Sequence, residues 1–287
     1  MKMTIKTILC VAVGWGVLSG VTLAAEDDRP VNVEQYARSA TNSLRKLPRV
    51  TREAALAEMS MLLFMPDGSD AYSSKMGSDT VEVRQGSKVM GKTRVPYRYV
   101  TQGAQFIGTD GQLYDYYAAQ RSVGSSAHKK DAWKQAKLYI YRAGKDAVSS
   151  RFQDELKEME VQRGIYFLNQ MSPELRAALF AEVLGLLFLE DGSDAFTGKI
   201  LYSTICGERV PYRAYRSGAM FVDAQGQERS IDHVRKEEND RGKAWRTWWP
   251  GVKLNIHHAG QEAIFAPFRK EIRAMEDYAA SKRNPGV

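Results

Sequence analysis

The chain has 287 residues, with 41 Lys and Arg against 34 Asp and Glu, a formal charge of +7. That length allows a sizeable core and room for more than one unit. The cations are interspersed rather than gathered into an Arg/Lys stripe, which argues against nucleic acid and fits an acidic protein, an anionic lipid surface or no charged partner at all.

The first residues have the layout of an export signal. Lys2 and Lys6 precede an apolar run from Ile8 to Val21; Thr22, Ala24 and Ala25 then lead into Glu26-Asp27-Asp28. This pattern predicts a secretory signal peptide over 1–25, cut after Ala24 or Ala25, and a periplasmic protein. The run is shorter than the roughly 20 residues that a membrane span needs. Leu175 to Leu189 is the next most apolar stretch, but Arg176 and Glu182 interrupt it, so no stable membrane insertion is expected. Cys10 falls in the leader, leaving Cys206 alone. The exported form is then expected to lack an intramolecular disulfide and to be held by burial.

Residues 26–45 read as a helical lead-in, with a helix around Val33 to Lys46. Beyond it the chain repeats itself. Ala57-Glu58, Leu62-Leu63-Phe64 and Asp67-Gly68-Ser69-Asp70-Ala71-Tyr72 return as Ala181-Glu182, Leu186-Leu187-Phe188 and Asp191-Gly192-Ser193-Asp194-Ala195-Phe196. Arg94-Val95-Pro96-Tyr97-Arg98 returns as Arg209-Val210-Pro211-Tyr212-Arg213. Between these blocks the first copy carries extra residues, expected around Ser73 to Lys92. Further on, Trp133 is matched to Trp245, Lys137-Leu138 to Lys253-Leu254 and Phe152, Glu155, Met159 to Phe268, Glu271, Met275. Three blocks in one order define two units, 46–165 and 166–287.

Within a unit, Ala54, Leu56, Met59, Leu62 and Leu63 lie at helical spacing, predicting a helix from Thr51 to Phe64. Ser172-Pro173-Glu174 is an N-cap, a first-turn proline and an acid at the start of the matching helix, taken to Leu189. Asp-Gly-Ser-Asp closes each helix as a turn. Thr80–Arg84 and Tyr97–Val100 alternate as strands. Gln105–Ile107 and Leu113–Tyr116 form a hairpin, repeated at Met220–Val222 and a following strand. Leu138–Tyr141 and Leu254–His257 read as a further strand pair, and long helices follow at Asp146–Arg163 and Glu262–Ser281. The fold class is therefore α+β, a tandem duplication of a helix–antiparallel sheet–helix unit packed as one body. The Val33–Lys46 helix is expected to serve copy one as the Asp146 helix serves copy two.

No reactive constellation emerges. The Asp-Gly-Ser-Asp turns lack the alternating ligands and twelfth-position Glu of a calcium loop. Cys206 aligns with Gly91 and has no histidine beside it to lower its pKa. His128, His233, His257 and His258 have no metal-site spacing, and the last two would point to opposite faces of a strand. No Gly-x-Ser-x-Gly elbow, Walker loop, dinucleotide fingerprint or His-x-Lys with a following aspartate occurs. We therefore expect a non-enzymatic protein without metal or cofactor.

The signal sequence, the repeated Asp-Gly-Ser-Asp-Ala turn and the repeated Arg-Val-Pro-Tyr-Arg strand together resemble the two-unit periplasmic immunity proteins directed against type VI secretion phospholipase effectors. The resemblance implies a cognate secreted effector enzyme as protein partner and steric blockade as mechanism. The alternatives are a periplasmic small-ligand or lipid-binding protein and an enzyme with an unrecognised site. A single partner meets two copies asymmetrically, so the contact set is sought where the copies differ: Tyr72, Ser74, Lys75 and Arg84, then His128 and Lys129, then Arg246, Trp248 and Trp249. The tryptophans are read either as aromatic anchors of that contact or as core packing.

Overall fold

The computed structural model describes residues 32–85, 88–122, 127–242 and 244–283. The expected signal peptide lies outside these residues. From Asn32 onward the described chain belongs to one compact unit.

Helix α1 spans Val33–Arg45, capped where the Asn32 side chain accepts from the Gln35 N–H, and buries Ala37, Ala40 and Leu44. Helix α2 (Arg49–Met59) opens copy one. Strands β1 (Tyr72–Gln85) and β2 (Lys88–Val100) form a long antiparallel hairpin; β3 (Gln105–Ile107) and β4 (Leu113–Asp115) form a short one. Helices α3 (Tyr116–Arg121), α4 (Ala127–Ala143), α5 (Lys145–Ser149) and, after one 3-10 turn, α6 (Gln153–Gln170) complete the copy.

Copy two repeats this order. Helix α7 (Pro173–Leu184) is followed by hairpins β5 (Phe196–Ile205) with β6 (Glu208–Tyr215) and β7 (Met220–Val222) with β8 (Glu228–Ser230). Helices α8 (Ile231–Gly242), α9 (Ala244–Ala259), α10 (Gln261–Phe265) and α11 (Arg269–Arg283) follow, with a 3-10 turn before the last. The architecture is α+β, 54% helical and 25% strand, with small antiparallel sheets flanked by helices. The repeated positions share environments. Phe64 exchanges backbone hydrogen bonds with Gln105, and Phe188 does the same with Met220.

The start of α7 follows its sequence: the Ser172 side chain accepts from the Leu175 N–H, Pro173 leads the first turn, and Gly185 closes the helix in the left-handed region. The expected extension to Leu189 therefore stops at Leu184. The expected strands Leu138–Tyr141 and Leu254–His257 are helical, lying within α4 and α9. Trp133 and Ala136 join the copy-one core, Leu138 meets Val81 and Val95 of the hairpin, and Tyr139 stacks on Tyr36 of α1. A helix buried on several sides loses the one-sided stripe that identifies it.

Helix α1 lies along α4 as α6 lies along α9, the role expected for the lead-in helix. The repeat reaches upstream at the same spacing: Leu44 and Leu168, both fully buried, are 124 residues apart, as are Leu47 and Met171. Helix α6 belongs to both cores, with Leu156 and Met159 in the first and Phe167 and Leu168 in the second.

The copies are joined by rings. Trp248 packs against Phe167 (4.8 Å between centroids), Tyr166 (6.3 Å) and Phe64 of copy one (6.4 Å). Its ring also covers Gly68, where a Cβ would lie 2.6 Å from a tryptophan carbon. Gly68 has φ +80° and its counterpart Gly192 has φ +81°, but the nearest atom to a Cβ at Gly192 is a backbone oxygen 3.5 Å away. Alanine at either site pays for the left-handed backbone, about 1–2 kcal/mol; Gly68→Ala additionally displaces Trp248, for a total of about 2–4 kcal/mol. Urea unfolding should show Gly68→Ala clearly more destabilised than Gly192→Ala. Equal losses would mean that the tryptophan does not hold this turn.

Candidate functional site

Each copy holds one largely covered acid–amine pair beneath its long hairpin. In copy one, Lys137 Nζ on α4 lies 2.8 Å from Glu58 Oε1 on α2, and the Tyr116 hydroxyl donates to Glu58 Oε2 over 2.7 Å. In copy two, Lys253 on α9 donates to Glu182 on α7, and Arg235 Nη2 donates to Glu182 Oε2 over 3.0 Å. Both lysines sit over the tyrosine of the repeated strand, 5.2 Å from Tyr97 and 4.9 Å from Tyr212. They also sit over a tryptophan, 5.7 Å from Trp133 and 5.8 Å from Trp249. This geometry corrects the expected match of Trp133 with Trp245: the counterpart is Trp249. Burial pushes the Lys253 amine down, Glu182 pushes it up, and Arg235 pushes it down again. A cleft of about 240 Å³ runs beside this pair, bounded by Val183, Pro211, Tyr212 and Ile256. Glu182 is satisfied by Lys253 and Arg235 together, so the three charges act as a strut between helices under the hairpin.

The other titratable groups are similarly occupied. Asp67 Oδ1 accepts from the Ser69 N–H and hydroxyl, and Asp191 Oδ1 accepts both from Ser193, so these oxygens close turns. Cys206 stands with Gly207 at the turn between β5 and β6, with φ +51° and +85°. Gly91 instead pairs with Val83 inside the copy-one ladder, so the expected correspondence of Cys206 with Gly91 does not hold. Although Cys206 is exposed as a residue, partial burial of its thiol, then Asp70, push the pKa up, which keeps the sulfur protonated and poorly nucleophilic. His257 and His258 are helical, not in a strand. Among the described residues no three His, Cys, Asp or Glu groups converge as metal ligands, and no helix is long and apolar enough to cross a membrane.

The proposed contact residues separate into three groups. Trp248 and Trp249 are interior, 7% and 3% exposed, one at the joint between copies and one at the Lys253 strut; their burial removes them from an exposed contact set. Tyr72 is also turned inward, its hydroxyl donating to the Ala57 and Glu58 carbonyls. Ser74, Lys75 and Arg246 are exposed. The side chains of Arg84, His128 and Lys129 lie outside the described ones, although their backbones fall in β1 and α4.

The extra residues of copy one are confined to the far end of the hairpin. Thr80 pairs with Arg94 as Thr204 pairs with Arg209; beyond that rung β1 and β2 continue to Gln85 opposite Lys88, whereas β5 and β6 end at Ile205 opposite Glu208. The ladder also gives the repeated strand two faces. Val95 and Tyr97, like Val210 and Tyr212, face the helices; Arg94, Pro96 and Arg98, like Arg209, Pro211 and Arg213, share the opposite face. That outer face is the feature sequence reasoning missed. Period-two alternation in Arg-Val-Pro-Tyr-Arg carries the signal, but only the pairing shows which set is covered. No family model, curated protein or solved structure matches the chain.

His258 ties three elements together: its Nδ1 lies 2.9 Å from Glu160 of α6 and its Nε2 2.6 Å from Glu208 of β6. In copy one the same position holds Arg142, which donates to the Tyr36 hydroxyl over 2.7 Å. The two carboxylates raise His258 from 6.5 to about 9. Because the folded value exceeds the unfolded one, the stabilisation is complete below about pH 6.5 and is lost as pH rises through about 9. After allowance for solvent screening it is on the order of 1 kcal/mol. Between pH 7 and 9.5 the wild type should lose this increment, while His258→Asn should show a correspondingly flatter profile in urea melts. Parallel profiles would remove the clamp.

Proposed function

We propose that the protein is a non-enzymatic, periplasmic binding protein whose two long hairpins meet a protein partner. The partner class implied by the sequence resemblance is a secreted phospholipase effector, against which the chain acts as an immunity protein. One observation carries the reading. Of the exposed large hydrophobic side chains among the described residues, Met76, Val89, Met90, Tyr99, Ile200, Leu201 and Tyr202 lie on the long hairpins, while Val33, Leu113, Tyr141 and Tyr278 lie elsewhere. Apolar side chains concentrated on two projecting elements mark an interaction surface. The internally paired charges beneath them support rigidity and leave no evident acid–base couple in the cleft. Steric cover of an enzyme's mouth needs a stiff shape and no reacting group.

The experiment tests secreted phospholipases, those encoded by genes flanking this one first, for neutralisation by the protein, with purified proteins and with export to the periplasm. A second variant replaces residues 84–90 by Asn-Gly, which keeps Val81 and Val83 on Leu138. The wild type should inhibit one of these lipases. The shortened hairpin should keep its melting temperature and lose at least about tenfold in affinity, as expected when interface contacts are removed from an intact fold. An intact protein that leaves all of them active would overturn the immunity reading and favour ligand binding beside Glu182 and Lys253.

A further inference from the structure

We infer that the outer face of the β5–β6 hairpin is a docking surface for an acidic protein patch, one that offers two carboxylates on either side of an apolar side chain. The inference rests on the reading that the hairpins are the binding elements, and names the chemistry that one of them selects.

Arg209, Pro211 and Arg213 lie on this face, opposite Thr204, Tyr202 and Ile200 respectively. Ile200 is 61% exposed and Tyr202 55% exposed. The Arg209 guanidinium sits 4.4 Å above the Tyr202 ring, and that of Arg213 sits 4.0 Å above Phe196. Among the described residues neither meets a carboxylate, whereas Arg52, Arg176, Arg229 and Arg235 all do. The six residues of the face include two cations and no acid. The surface is therefore an apolar patch bracketed by two guanidiniums, that of Arg209 over Tyr202 on the face itself and that of Arg213 over the edge of the core at Phe196, beside Gly185 at the end of α7.

A guanidinium fixed in plane presents a fork that matches a carboxylate through two parallel hydrogen bonds, and less conformational freedom is lost on binding. Four residues along a strand separate the two arginine backbone positions by roughly 13 Å. A fixed spacing on a stiff strand suits an ordered partner. A fluid anionic bilayer imposes no spacing and is served by clustered flexible cations, so protein carboxylates are the better complement. Copy one shows what the shared fold alone requires. There Ser78 stands opposite Pro96, where Tyr202 stands opposite Pro211, so Arg94 has no corresponding ring beneath it.

The test uses the full chain and a cyclised hairpin peptide presenting Glu-Thr-Leu-Thr-Glu on one strand, with Gln-Thr-Leu-Thr-Gln as its neutral control. Binding is followed by the arginine Nε–H resonances. The acidic peptide should shift Arg209 and Arg213 saturably and bind at least about fivefold more tightly than the neutral one, with the preference weakening at high salt. Arg209→Glu with Arg213→Glu should abolish binding. The paired lysine substitutions should weaken it severalfold by removing the fork while keeping charge. Reversing Arg269 and Arg273 of α11 should leave it unchanged. Equal shifts at Arg94 and Arg98, indifference between the two peptides, or tighter binding to phosphatidylglycerol vesicles than to the acidic peptide would overturn the inference. These outcomes are independent of lipase neutralisation, so failure of the immunity reading and failure of this surface are separately visible.

Discussion

The joint between the copies is the constraint on which the rest depends. Trp248 leaves α9 and fills the space between Phe167 of the shared helix α6 and Phe64 of copy one, meeting both at steep ring angles of 59° and 73°. Tilted contacts of this kind favour ring edges against ring faces and add to the area that each aromatic buries. The joint fixes the polypeptide on both sides. Gly68 can carry no side chain under the indole, and the Thr247 hydroxyl donates to the Asp67 carbonyl of the same turn. Helix α6 then passes from one core into the other, so neither copy has a complete interior alone. Two similar units thereby become one stiff scaffold from which hairpins project.

The copies differ in their polar contacts where α6 and α9 cross. Tyr36 and Arg142 of the first copy are replaced by Glu160 and His258 in the second, in the same places along the paired helices. Nearby, Arg163 is buried without a carboxylate and donates through Nε and Nη2 to the Asn255 side-chain oxygen. Desolvation lowers its pKa, the expected sense for a cation taken out of water. The surrounding negative groups, Glu160 among them, oppose that shift. The joint therefore combines an apolar half that supplies burial with a polar half in which Arg163 of α6 is bonded to Asn255 of α9.

The sequence made the duplication, the helix start at Ser172 and both short hairpins legible, because caps, turns and period-two alternation are local signals. It did not reveal α4 and α9. Lys137, Leu138, Tyr139 and Ile140 each meet a different neighbour, so the segment lacks the single apolar stripe of a surface helix. The tryptophans misled for a related reason. Trp245, Trp248 and Trp249 lie within five residues, and only the lysine contact identifies Trp249 as the partner of Trp133. Unmatched aromatics suggested a contact surface, yet Trp248 is unmatched because it serves the joint, which occurs once. The exposed arginine face was hidden in plain alternation, since burial and exposure are symmetric in a strand until its pairing is known.

The repeated proline has a bearing on how the protein survives at high concentration. Among the described residues each long hairpin is a sheet of two strands, so β1, β2, β5 and β6 each have one row of backbone groups with no strand beside it. Long flat edges of this sort invite stacking into fibres. Pro96 and Pro211 stand midway along β2 and β6 and interrupt the donor row where an incoming strand would have to register. The same residue that separates the two arginines on the outer face thus hinders the hairpin from recruiting copies of itself, allowing an apolar element to stay exposed without becoming a seed for aggregation.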